Sequence, residues 1–164
     1  MLTGLIEKSS GTASCYDVDV FEEMDELREF MGVCPQHDVL FDNLTAREHL
    51  DIFYDFKGGD PKRKQEEIDS LIIDSGLTID QEKRAKTLSG GNKRKLSVCI
   101  SLCGGSKLVM LDEPTSGMDP TARRETWDII KRIKHNKIII LTTHYMDEAE
   151  MLADRVAIIS KGKL

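Results

Sequence analysis

Three continuous apolar runs, Leu108–Leu111, Ile138–Leu141 and Val156–Ile159, are separated by helically patterned stretches around Arg123–Lys134 and Asp147–Ala153. Short apolar runs without alternation fit strands buried on both faces, and the helices between them supply the crossovers that parallel strands require. The pattern predicts an α/β fold with a parallel sheet. Such sheets bind ligands beyond the carboxyl ends of their strands, so the residues that follow each run are the place to look for chemistry.

The rest of the chain divides by character. Up to about residue 37 it carries a turn at Ser9, Ser10 and Gly11, an acidic stretch from Asp17 to Glu29, and a short apolar run, Val33 and Cys34, ended by Pro35. This reads as strand, short helix, strand. Between Leu40 and Leu88, apolar residues recur at helical spacing, first Leu50, Phe53 and Tyr54, then Ile68, Leu71 and Ile72. Gly58, Gly59, Asp60 and Pro61 separate the two helices, with Pro61 expected to open the second.

The 164 residues suffice for one domain, and 40% hydrophobic with 32% charged residues is the balance of a globular protein. A net charge of −6 argues against general nucleic-acid binding. The local basic stretch Lys83, Arg84, Lys86, Lys93, Arg94 and Lys95 reads as a solvated face or partner surface. No apolar run approaches the roughly 18 residues of a membrane span, although a spanning domain elsewhere in a parent protein stays compatible. The four cysteines, Cys15, Cys34, Cys99 and Cys103, show no CxxC spacing and read as packed thiols in a reduced setting.

Asp112 and Glu113 directly follow the run at Leu108–Leu111. One carboxylate there suits Mg²⁺ and its neighbour suits polarising a water, as phosphoanhydride hydrolysis needs. Alone, such a pair is more commonly a helix cap or a surface acid. In the segment LSGGN, Ser89 suits a helix cap while Gly90 and Gly91 admit close backbone approach to an anion. Lys93, Arg94 and Lys95 would then sit in the first helical turn against the dipole, tolerable where an anion binds. His144 follows Thr142 and Thr143 at the end of the second run, and Gln36 follows Val33 and Cys34.

Taken together, Gln36, LSGGN at Leu88–Asn92, KLVMLDEPTSGMDP at Lys107–Pro120 and LTTH ending at His144 occur in one order at compatible spacing. The set resembles the ATP-binding cassette family, with its Q-loop, signature, Walker B with D-loop, and H-loop. The stretches Gly32–Leu50, Leu88–Val98 and Thr143–Leu164 resemble subfamily A, chiefly lipid movers with two membrane domains and two nucleotide-binding domains in one chain.

The resemblance implies a P-loop NTPase core, residues 1–37 and 105–164, with an inserted helical subdomain at 38–104. It implies that Asp112 holds Mg²⁺, that Glu113 is general base toward water, and that Gln36 touches metal and water. His144 would contact the γ-phosphate of ATP. Ser89, Gly90 and Gly91 would bind ATP held on a second nucleotide-binding domain in a head-to-tail pair, and Asp119 would cross that interface. Partners would be ATP, that second domain and the transmembrane domains of one multi-pass transporter, with this domain on the cytoplasmic side and no nucleic acid bound. Competing readings are a soluble cassette ATPase and an inactive interaction module.

Two departures modify this expectation. The phosphate loop G-x-x-x-x-G-K-[ST] does not occur, and Met1–Leu5 resemble residues that follow it, so the core is expected to be incomplete. Three charge-assisted hydrogen bonds at about 1.5–3 kcal/mol each amount to roughly 5–9 kcal/mol, about a thousand- to a millionfold in affinity. The 164 residues alone are therefore expected to bind Mg-ATP weakly and to be inactive. Asn92 and Met118 depart mildly from the commoner family residues.

Overall fold

The computed structural model describes residues 1–164. A two-residue-per-strand hairpin, β1 (Ser14–Cys15) and β2 (Val18–Asp19), precedes α1 (Met24–Phe30) and β3 (Met31–Cys34). Then follow α2 (Ala46–Phe56), α3 (Lys64–Asp74), a 3₁₀ turn (Ala85–Thr87) and α4 (Gly90–Leu102). β4 (Leu108–Asp112), α5 (Pro120–Ile133), β5 (Ile138–Thr142) and α6 (Met146–Leu152) complete the order. The strands β3, β4 and β5 form one parallel sheet in that spatial order.

Alternation along β4 shows how the sheet is covered. Val109 and Leu111 join the main core with Leu96, Val98, Ile100 and Trp127, whereas Leu108 packs with Val18, Val20 and Leu27 from the hairpin and α1. Each fully buried aliphatic side chain contributes about 1.5–3 kcal/mol, so both layers hold β4 in place. On β3, Gly32 meets α4 directly: a Cβ there would lie 1.7 Å from the Ser101 carbonyl oxygen. Only a residue without a side chain permits that approach.

Local sequence explains the helix starts. Thr45 caps α2 through a capping box, its hydroxyl accepting from Glu48 N at 3.1 Å while Glu48 Oε2 accepts from Thr45 N at 2.7 Å. Asp119 caps α5, with Pro120 at its first position. Backbone N–H groups of Ala122 and Thr121 hold the Asp119 carboxyl below the usual range. Pro61 does not open α3; it lies in the turn closed by Arg63 N to Asp60 O, and the helix begins at Lys64 with Arg63 at the cap.

Two expectations need correction. Val156–Ile159 forms no strand, and Val156, Ile158 and Ile159 are exposed. The hairpin and α1 cover β3 and β4 but not the far side of β5, where Ile138 and Ile140 are also open, so a further strand finds no apolar layer there. The basic stretch is not one solvated face either. α4 is packed on nearly all sides, and Arg94 and Lys95 are buried with it, Lys95 paired to Glu125. Cys34, Cys99 and Cys103 are buried free thiols, and desolvation pushes them up to about 11, 12 and 11 respectively.

Candidate functional site

Register builds the site. Cys34 pairs with Leu111 and Leu111 with Leu141, while Asp112 pairs with Thr142. The residues that follow these positions, Pro35–Gln36, Glu113 and Thr143–His144, therefore emerge side by side at the carboxyl ends of adjacent strands. Glu113 lies at the centre. Its Oε2 accepts from Gln36 Nε2 at 3.0 Å, and its Oε1 lies 3.2 Å from His144 Nδ1. The structure thus joins three of the residues singled out above through one carboxylate.

Asp112 sits beside this group. Its Oδ1 accepts from Thr142 Oγ1 at 2.5 Å, leaving the exposed carboxylate directed by a neighbour on β5. Glu113 has φ of +46°, in the left-handed region, a conformation costing about 1–3 kcal/mol unless its surroundings fix it. They do. Glu113 N donates to Thr142 O at 3.0 Å and Oγ1 at 3.2 Å, and Glu113 O accepts from Arg94 Nη2 at 3.0 Å and Ser116 N at 3.0 Å.

The His144 side is fixed by α6 and α5. The Glu148 carboxylate is fully buried, accepting from Thr115 Oγ1 at 2.8 Å and Trp127 Nε1 at 2.9 Å. Tyr145 lies under the Arg123 guanidinium at 3.9 Å, with its ring centroid 4.0 Å from that of His144. These contacts set the direction in which the chain leaves β5.

Ser89, Gly90, Gly91 and Asp119 form a second location. Ser89 caps α4, accepting from Asn92 N at 3.2 Å, and both Ser89 and Gly90 are exposed. A Cβ on Gly91 would lie 3.4 Å from Ala122 Cβ, placing this helix start next to that of α5, which Asp119 caps. No hydrogen bond connects this group with Gln36, Asp112, Glu113 or His144.

The metal-binding chemistry is that of hard oxygen donors. No cluster of three or more His, Cys, Asp and Glu side chains forms a closed cage. Asp112 and Glu113 carboxylates and the free amide oxygen of Gln36 nonetheless fit Mg²⁺, which takes one or two carboxylates and completes its shell with phosphate oxygens and water.

Comparison with known proteins shows the family of the chain. The ABC transporter family model matches residues 1–116. The chain belongs to the ABC transporter family. It is 50% identical over all 164 residues to "ATP-binding cassette sub-family A member 2" of Rattus norvegicus, covering 7% of that protein. It is 48% identical to "Phospholipid-transporting ATPase ABCA3" of Rattus norvegicus, covering 10% of it. The chain therefore spans a tenth or less of these ABC transporter relatives. In fold it matches "Structure of ATP binding subunit of ABC transporter" with a TM-score of 0.79 at 24% identity, over 93% of this chain and 64% of that one.

Sequence reasoning missed Arg94 and Thr142 as parts of the site. Its place in a basic first turn suits a surface cation opposing the helix dipole, yet Arg94 contacts the Glu113 corner itself. Thr142 stood in view beside His144 without a role, because only the β4–β5 register shows that its hydroxyl reaches Asp112.

Proposed function

We propose that this chain is the ATP-binding and ATP-hydrolysing part of a subfamily A transporter that moves phospholipid. The observation that carries the reading is Glu113, held between Gln36 and His144 with Asp112 beside it at the carboxyl ends of three parallel strands. The similarity to sub-family A member 2 and to a phospholipid-transporting ATPase supports the choice of transporter and cargo.

In this reading Asp112, oriented by Thr142, is the ligand that would hold Mg²⁺ with Gln36 nearby. The metal, when bound, neutralises phosphate charge and orients the terminal phosphate. Glu113 accepts the proton of the attacking water, which Gln36 and Glu113 align from two sides. His144 stands on the third side to donate to a terminal phosphate oxygen, its ring steadied by Tyr145. Because ATP has to be approached from open strand ends, the exposure of Asp112 and His144 suits them to these roles.

Ser89, Gly90, Gly91 and Asp119 lie apart from this cluster, which supports their facing ATP on a second domain in a head-to-tail pair. Residues 1–37 and 105–164 serve as the core and 38–104 as the helical subdomain. No helix is long and apolar enough to cross a membrane. The membrane passage is assigned to transmembrane domains of the same transporter, with this part on the cytoplasmic side.

The test is Asp112→Ala in the longest natural polypeptide that contains these residues. Affinity for ATP in the presence of Mg²⁺ is expected to fall about tenfold or more, about 1.4 kcal/mol, while affinity measured in excess chelator stays unchanged. Equal affinities with and without Mg²⁺ in both the parent and the variant contradict the assignment of metal and site.

A further inference from the structure

Arg94 is 4% exposed, and each of its five N–H groups has an oxygen partner. Nε donates to Pro114 O at 2.9 Å; Nη1 donates to Pro35 O at 2.5 Å and Asp38 Oδ1 at 3.3 Å; Nη2 donates to Asp112 O at 2.7 Å and Glu113 O at 3.0 Å. Four of these acceptors are backbone carbonyls, and they belong to the two segments that flank Gln36 and Glu113. Ser97, one turn further along α4, adds a bond from its hydroxyl to Asp38 Oδ1 at 2.9 Å.

We infer that Arg94 is a positioning residue, which clamps the Gln36 loop and the Asp112–Glu113 corner to the helix whose start carries Ser89. The inference rests on the hydrolytic reading above. Its physical basis is the shape of the donor. A planar guanidinium satisfies carbonyls from two chain segments at once, and no residue with fewer than five donors replaces it. Two of the bonds land on the carbonyls of Asp112 and Glu113, around the left-handed backbone of Glu113. The clamp therefore fixes the direction of the Glu113 side chain toward Gln36 and His144. Because Arg94 lies five residues after Ser89 on the same helix, a displacement of that helix start reaches Glu113 through one side chain.

Lys57 provides an internal control. It is a half-buried cation at the end of α2 that grips the other end of α4, donating to Ile100 O and Ser101 O at 3.0 Å, Cys103 O at 3.3 Å and Ser106 Oγ at 2.8 Å. Desolvation holds its pKa below the ordinary value. None of its partners belongs to the site, so it supports α4 without touching Gln36 or Glu113.

The experiment measures ATPase kcat and KM, affinity for a non-hydrolysed ATP analogue, and unfolding midpoint in the longest natural polypeptide. Arg94→Lys is expected to lower kcat per folded molecule about tenfold or more, with analogue affinity changed less than about threefold. Asp38→Ala leaves the four carbonyl bonds and is expected to give a smaller fall in kcat with the fold retained. Lys57→Met is expected to lower the midpoint and keep kcat per folded molecule. Parent-level kcat per folded molecule in Arg94→Lys overturns the inference, and so does equal proportional loss in Arg94→Lys and Lys57→Met. Should Arg94→Lys fail to fold, Asp38→Ala decides, and an unchanged kcat there overturns the inference. Glu113→Gln separates the two levels: hydrolysis lost there but retained in Arg94→Lys refutes the clamp alone, whereas hydrolysis retained in both refutes the hydrolytic reading.

Discussion

Glu113→Gln is expected to slow ATP hydrolysis about a hundred- to ten-thousandfold, the usual cost of losing a general base, while ATP affinity stays within about threefold. The amide has nearly the same shape as the carboxylate and still offers an oxygen to Gln36 Nε2, so the local hydrogen bonding survives in part. What it loses is the ability to take a proton from water. Asp112, which carries the metal in this account, is untouched and keeps its bond from Thr142. Single-turnover rates measured beside equilibrium binding separate the two effects. Equal losses in rate and in affinity reassign Glu113 to a structural role.

Gly32→Ala is expected to destabilise the fold by at least about 3 kcal/mol, at the upper end of overpacking costs. The added methyl would lie 1.7 Å from Ser101 O and 2.8 Å from Ser101 C, both backbone atoms of a helix that has no freedom to rotate away. α4 is pinned at its far end by Lys57 and near its start by Arg94, so relief demands movement of the whole helix. For a domain of this size the unfolding midpoint should fall by roughly 6–12 °C, at about 2–4 °C per kcal/mol. A midpoint within about 2 °C of the parent contradicts the close packing of β3 on α4.

What the sequence disclosed and what it concealed follow from the same physics. The runs Leu108–Leu111 and Ile138–Leu141 are legible because neither shows polar alternation, although only β4 is covered on both faces and β5 leaves Ile138 and Ile140 open. Val156–Ile159 is as continuously apolar and forms no strand, since composition reports that a segment suits burial and not whether a layer exists to bury it. The residues at strand ends, Gln36, Asp112, Glu113 and His144, are visible from their place after apolar runs, but their roles come only from the resemblance to the ATP-binding cassette family. Their meeting through Glu113 depends on register, which a sequence pattern does not state.

Arg94 illustrates the deeper limit. Helical periodicity around Leu96, Ile100 and Cys103 identifies one apolar face and assigns the remaining residues to water. In α4 those residues are buried as well, because the helix lies between the sheet, α2 and α5, and their partners are backbone carbonyls from distant segments. A carbonyl acceptor leaves no trace in residue identity. Lys95 was concealed for a related reason, since its partner Glu125 comes from α5 and lies 30 residues away.

The central claim is that ATP and its metal sit at the carboxyl ends of β3, β4 and β5 beside Asp112, Glu113, Gln36 and His144. An experimental structure of the Glu113→Gln polypeptide with ATP and Mn²⁺ in place of Mg²⁺, located by anomalous scattering, tests it most directly. The account predicts the Mn²⁺ signal next to the Asp112 carboxylate, with the terminal phosphate facing His144. A nucleotide and metal bound elsewhere, with Asp112 still hydrogen-bonded only to Thr142, contradict it.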